Sequence, residues 1–503
     1  MLTPTRLLLV YAFLLLRPLV AAAGDLPRDT NAIERLTVEE ARNLAETFPG
    51  VLMPRKNGFA LNCLPLNGLK TLEAAQASAL SRYTVGPLLL DGVQSLDADT
   101  AKALAEFKGT HLSLDGLRTL DVDAAKVIAG YTCKTLSLGG LTTLDADGAK
   151  AIAGYKGSRL DLNGLATIDV STIKALTNFR NDILSLNGLT ALDAETAKAL
   201  AGLQCHQLYL SGLSKLDADT AVELAKFEGV CLLDGLTTLD VATATALAGF
   251  KGSHLFLNGL TALDADTAKA LAGFKGSYLY LNGLNALEAD TAKALADYKG
   301  MLYLNGLTTL KTDTAKAIAE FKAAFLCLNG LTTLDAGDAK VLAEFKGGDL
   351  SLHGLTAVDV EVVKALMRSK AWSPSTARLT TLDVDTVEAV AANEKWDGAL
   401  HALTTLTIDI ARVIAPCSRW DGSLPGITAF EAPDSVAVAA AIATRDGPLS
   451  LPNLKRISPK TLTALIQKRD VEIPLVETLE LIPEPDGSTT EDFVIPDDFK
   501  QRR

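Results

Sequence analysis

The stretch from Leu255 to Tyr278, LFLNGLTALDADTAKALAGFKGSY, holds one whole structural unit of this 503-residue chain. Its first residues, like Leu279-Tyr280-Leu281 one unit later, place two leucines on one side of a short strand and a single residue on the other, because strand side chains alternate between faces. Asn258-Gly259 opens a turn suited to positive φ or close backbone approach, and Leu260 and Leu263 carry the apolar face through it. Ala268, Leu271 and Phe274 then recur at spacing three, the one-sided stripe of a helix of two to three turns. Leu255, Leu257, Leu260, Leu263, Ala268, Leu271 and Phe274 are therefore expected in the core, and Lys269 in solvent.

The same unit extends in both directions. Its central glycine recurs from Gly68 through Gly259 to Gly354 at a spacing of 24, with two steps of 23. The frame continues without the full motif at Arg378, Ala402 and Gly426, more loosely at Asn453, and a diverged unit begins near Ala32, giving about 18 units in all. Asp97, Asp121, Asp145, Asp193, Asp217 and Asp264 stand where a helix N-cap belongs. Asp99 with Lys102, Asp123 with Lys126 and Asp290 with Lys293 are neighbours on a solvated helix face. Phe107, Tyr131, Tyr155, Phe227, Phe250, Phe274 and Phe345 close the end of each unit. A strand, turn and helix of 24 residues bury nothing alone, whereas stacked copies share a continuous core.

This unit resembles the leucine-rich repeat, most closely the cysteine-containing subclass with LxxLxLxxC followed by a helical half, in the manner of a bacterial-type secreted protein. The resemblance covers about residues 32–466 and implies an α/β fold: a right-handed, curved solenoid with parallel strands on the concave face and short helices on the convex face. It departs from the subclass where Leu117, Leu165, Leu260 or Leu284 holds the cysteine position, so asparagine side-chain bonds to the backbone are not expected there. The resemblance also implies macromolecular binding through the concave face.

Composition agrees with a folded protein. Charged residues make up 21% and mean hydropathy is +0.21, outside the range of disordered chains. A formal charge of -12 speaks against a nucleic-acid or anionic-membrane partner. Met1–Arg6 with one positive charge, the apolar run Leu7–Leu16 and Ala21–Ala23 before Gly24 make a secretory leader of residues 1–23. Export to the periplasm, cell surface or medium is expected, with no transmembrane segment after cleavage. Residues 24–66 are expected to form an N-terminal cap with an irregular insert from Pro49 to Cys63, 67–366 the regular repeats, 367–470 diverged repeats and cap, and 471–503 a polar tail.

Catalytic chemistry finds no support. His111, His206, His254, His353 and His401 fall in different units outside any catalytic motif, no cofactor fingerprint is present, and the six cysteines lack metal or disulfide spacing. Cys231 takes a buried leucine position, while Cys327 points outward on its strand. Trp372, Trp396 and Trp420, 24 apart, read as core packing rather than a ladder for a flat ligand, with Gly398 and Gly422 replacing a strand leucine beside the last two.

The outward strand positions, three and five residues before each central glycine, are the feature that exceeds fold maintenance. Between His111 and Ser185 they are mostly small and polar; then come Gln207 with Tyr209, Val230 with Leu232, His254 with Phe256, Tyr278 with Tyr280, Met301 with Tyr303 and Phe325 with Cys327, before Asp349 with Ser351. Tyr209, Leu232, His254, Phe256, Tyr278, Tyr280, Met301, Tyr303 and Phe325 are the candidate site, an exposed aromatic patch of the kind that marks interaction surfaces. A non-enzymatic scaffold binding a protein, peptide or glycan follows; the alternative is a structural or display solenoid in which cross-strand rings only stabilise the sheet.

Overall fold

A computed structural model describes residues 29–54, 60–374, 376, 378–485 and 487. The leader at 1–23 and most of the polar tail lie outside the described residues. The chain divides into two compact units, Met1–Ser185 and Leu186–Arg503.

The first unit opens with a helix, Val38–Thr47, started by a Thr37–Glu40 capping box. The stretch expected as an irregular insert instead supplies strand Val51–Pro54, antiparallel to Ala60–Pro65, whose far end pairs in parallel with Leu88–Leu89. Parallel strands His111–Ser113, Thr135–Ser137, Arg159–Asp161 and Ile183–Ser185 follow in sequence order. In the second unit the parallel strands are Gln207–Tyr209, Val230–Leu232, His254–Phe256, Tyr278–Tyr280, Met301–Tyr303, Phe325–Cys327 and Asp349–Ser351.

Within each coil the physical parts fall where the sequence puts them. Leu255, Leu257, Leu260, Ala268 and Leu271 are fully buried, Phe274 nearly so, and Lys269 is exposed. Leu263 is a correction: it is half-buried, because it is the last residue before the N-cap and sits at the rim of the core. Helices of about two turns, such as Ala265–Leu271 and Ala98–Leu104, begin at Asp264 and Asp97, whose carboxylates accept from the third helical N–H at 2.8 and 2.7 Å. The threonine at that third position in turn reaches back a coil, as Thr291 Oγ1 donates to Leu263 O at 3.1 Å. The two 23-residue steps keep the strands in register because the missing residue comes out of the return loop: Met301 directly follows Gly300 and still faces Tyr278.

The central glycines do not take positive φ; close approach is what they provide. A Cβ on Gly283 would stand 2.1 Å from Asn258 O and 2.6 Å from Leu260 O of the preceding coil. Asparagine bonding, not expected at the cysteine position, is present instead at the residue before most of these glycines. Asn258 Oδ1 accepts from Asn282 N at 3.0 Å, Asn282 from Asn305 N at 2.9 Å, Asn305 from Asn329 N at 2.8 Å and Asn329 from His353 N at 2.7 Å. Asn67, Asp91 and Asp115 make the same ladder in the first unit. The ladder occupies the turn next to the glycine instead of the family's cysteine position, which leucine fills with 0–1% exposure.

Beyond Ser351 the helices persist, Val360–Leu366, Val384–Ala391, Ile408–Ile414, Ser435–Ala443 and Pro459–Ile466, while strand pairing shrinks to single bridges and two-residue strands. Residues of the expected tail take part: Val471–Glu472 pairs with Leu449–Ser450, and Glu480–Leu481 with Arg456–Ile457. Here Trp396 and Trp420 are buried in an apolar cluster with Leu400, Leu424 and Leu449. Trp396 Nε1 donates to Thr376 Oγ1 at 2.8 Å, and the Arg445 guanidinium lies 4.7 Å from the Trp420 ring centroid. Gly398 and Gly422 hold φ of 76° and 82°, the left-handed region closed to most side chains. With Trp372 also 6% exposed, these rings are core and offer no ladder of faces to a ligand.

Candidate functional site

The candidate residues come together in the second unit as two rows, set by parallel register. One row runs Gln207, Val230, His254, Tyr278, Met301, Phe325; the other Tyr209, Leu232, Phe256, Tyr280, Tyr303, Cys327. Leu208, Cys231, Leu255, Leu279, Leu302 and Leu326 between them are buried, so the alternation of strand faces alone aims every candidate side chain to the opposite side.

The rows are not freely exposed. Tyr209, Leu232, His254, Phe256, Tyr278, Tyr280, Met301, Tyr303 and Phe325 are all half-buried, because a parallel sheet brings equivalent rings into contact. His254 and Tyr278 stack with centroids 4.0 Å apart, Phe256 and Tyr280 at 4.0 Å and 4° from parallel, and Tyr280 and Tyr303 at 4.4 Å. Phe325 leans on Tyr303 at 5.8 Å and 47°. The inner rings thus spend their faces on each other and present their edges and polar tips. Tyr209 is tied to Gln207, its hydroxyl donating to Oε1 at 3.1 Å.

This crowding alters the electrostatics. Burial, with Tyr303 and Tyr278 nearby, pushes the Tyr280 hydroxyl up to about 12, and burial raises that of Tyr303. Burial also lowers His254 below the ordinary imidazole value, favouring the neutral ring. At neutral pH the rows carry uncharged hydroxyls and an imidazole on an apolar ridge. Cys327, expected to point outward, does alternate with Leu326 but is only 4% exposed, covered in its row between Tyr303 and Ser351.

The polar neighbours behave differently. Ser137 Oγ donates to Asp115 Oδ1 at 2.6 Å, Ser185 to Asn163 at 2.7 Å and Ser351 to Asn329 at 2.8 Å; Ser113 likewise donates to Asp91. These hydroxyls close onto the turn ladder and leave at most 7% of each serine exposed. Arg159 and Asp161 pair at 2.7 Å on their own strand.

The five histidines stay in separate coils, and among the described residues no three His, Cys, Asp or Glu side chains are grouped to hold a metal. The six cysteines are free thiols, and burial raises Cys63, Cys133, Cys231 and Cys327 above the ordinary thiol value. No helix among the described residues is long and apolar enough to cross a membrane. Sequence reading placed the rows but missed the turn ladder, although its signal was the Asn or Asp before nearly every central glycine.

No family model matches the chain, and no curated protein is similar to it. Solved structures to which it is similar include a chain of the TLR13–ssRNA13 complex, with a TM-score of 0.41 and 16% identity over 80% of this chain and 59% of that one. A chain of the Toll–Spatzle complex of Drosophila gives 0.39 and 12% over 82% and 49%. The leucine-rich repeat-containing protein LegL7 from Legionella pneumophila gives 0.34 and 15% over 50% and 92%. The chain spans less than two thirds of the first two. With TM-scores this low, the fold rests on the geometry of the coils themselves. In each of its two units the strand, glycine-pinched turn, capped helix and return loop repeat on a 24-residue period, which is the α/β leucine-rich-repeat solenoid fold.

Proposed function

We propose that this protein is a non-enzymatic interaction scaffold, exported to the periplasm, cell surface or medium, that binds a macromolecular ligand across the strand faces from Gln207 to Cys327. The observation that carries this reading is the pair of stacked rows. Three consecutive coils hold Phe256, Tyr280 and Tyr303 at 4.0 and 4.4 Å, at a repeat position where Ser113, Ser137, Ser185 and Ser351 are retracted in other coils. A rigid ridge of ring edges and hydroxyls is preorganised for binding, since ordering cost falls when the anchor side chains are already fixed. Tyrosine and phenylalanine are also the usual anchors of such surfaces. The leader-like sequence at residues 1–23 supports export.

A structural reading also has an observation in its favour: the rings satisfy one another without a partner. One experiment separates the two. A pull-down from the native surroundings compares the leaderless protein with a Tyr209, Phe256, Tyr280, Tyr303 quadruple alanine variant whose fold is checked by circular dichroism. Loss of a specific partner with the fold retained supports the scaffold; an unchanged set of partners rejects it. Fractionation of the source cells with amino-terminal sequencing tests export, and recovery of the uncleaved protein in the cytoplasm rejects that part.

A further inference from the structure

An open cleft lies beside the aromatic rows, where the return loops of two coils run into the strands. Lys251, Ser253, Lys275 and Ser277 line it together with Gly249 and Gly276. The loops are held low by their glycines: a Cβ on Gly252 would stand 1.9 Å from Gly229 O, and one on Gly276 2.1 Å from the Phe274 ring. Both lysines and both serines are exposed. Ser253 Oγ lies 2.8 Å from His254 Nδ1, so the cleft connects directly to the stacked His254–Tyr278 pair.

The next coils show what chemistry this place accepts. The residue before the buried Phe or Tyr of one coil faces the lysine after the ring of the following coil. Asp297 there holds Lys322 at 2.7 Å, and Glu320 holds Lys346. At the cleft the residue facing Lys275 is Gly249, which has no side chain, and the one facing Lys251 is Lys226, itself paired with Glu223; Lys251 and Lys275 make no ion pair among the described residues. Glu228 occupies the lysine position one coil earlier, so in the second unit the row of lysines begins at Lys251.

Resting on the proposed use of the rows as a binding surface, the geometry points to an acidic peptide as the ligand. One of its carboxylates sits between Lys251 and Lys275, as Asp297 sits against Lys322, and its neighbouring apolar or ring-bearing side chains lie on the edges of His254, Tyr278 and Tyr280. A peptide fits better than a sugar because the inner ring faces, on which a sugar would stack, are already covered by other rings at 4.0 Å. The lysines supply charge-assisted hydrogen bonds, and the serine hydroxyls further donors.

Binding of fluorescent random copolymers to the full leaderless chain tests this. Poly(Glu,Tyr) is the probe, with poly(Lys,Tyr), polyglutamate and polygalacturonate as comparisons. The expected result is preference for poly(Glu,Tyr), weakened by added salt. Binding falls at least ten-fold in a Lys251→Glu, Lys275→Glu variant of unchanged thermal midpoint and is retained in Lys251→Arg, Lys275→Arg. Full affinity in the charge-reversed variant with loss in Tyr280→Ala overturns the cleft while leaving the aromatic surface standing. Preference for polygalacturonate, or no binding of poly(Glu,Tyr) by the unmodified chain, also overturns it.

Discussion

Strands 111–185 and strands 207–327 are built on one inward pattern and two outward ones. Leu112, Leu136 and Leu160 are as fully buried as Leu255, Leu279 and Leu302. On the other side Ser113, Ser137 and Ser185 fold back and donate to the turn ladder, whereas Phe256, Tyr280 and Tyr303 stand against one another. Ser351 marks the return of the first pattern by donating to Asn329. A coil therefore needs its inward leucines to exist, and tolerates either solution outside. The ring solution leaves ring edges and hydroxyls standing above the sheet.

The strongest test is whether the shared inward pattern carries the stability of both regions. Leu271→Asp and Ile152→Asp each place an unpaired carboxylate at a fully buried position, and each should cost several kcal/mol, read by denaturant unfolding. A wild-type midpoint for either variant breaks the equivalence of the two regions and the stacking of coils with it.

Next in size is the contrast between outward residues. Tyr280→Ala removes two stacked contacts and should lower stability by about 1–2 kcal/mol, while weakening ligand binding by about 2 kcal/mol or more. Ser137→Ala, the same strand position in the polar region, should lower stability by about 1 kcal/mol through its lost bond to Asp115. It should leave binding alone. Calorimetric titration beside thermal melts measures both, and equal binding losses would erase the distinction.

A smaller effect concerns the ladder itself, which includes the carboxylates of Asp91 and Asp115 in the first unit, whereas the aromatic coils mostly use asparagine. Burial raises the Asp91 carboxyl above its ordinary value of 3.8 despite bonds from Ser113 and Asp115 N. A folded-state pKa above the unfolded one means that the folded protein holds the proton more tightly. Its stabilising share is complete below about the ordinary carboxylate value and is lost as pH rises through the raised value. Asp91→Asn keeps the bond to the Asp115 N–H without the charge. The variant should therefore match or exceed wild type at neutral pH and lose that advantage as pH falls, in melts run from pH 7 to 4. An advantage that grows toward low pH contradicts the sign. Smallest of all, Lys269→Ala on the exposed helix face should leave the thermal midpoint indistinguishable from wild type.

The sequence by itself determined the coil. A 24-residue period with leucines alternating in the strand, aspartate before the helix and alanine facing the core allows one stacking, because each feature answers a local requirement repeated in every unit. It also determined which side chains face outward, since alternation along three residues is a local property. The tertiary structure decided what depends on contacts between coils. It retracted serines onto the turn of the previous coil, closed ring faces by stacking, covered Cys327 and turned asparagines before glycine into a ladder. It also brought Lys251 and Lys275 to one cleft. Each of these joins residues about one period apart, and the period written in one coil does not say whether a neighbouring side chain will be near enough to bond, stack or cover.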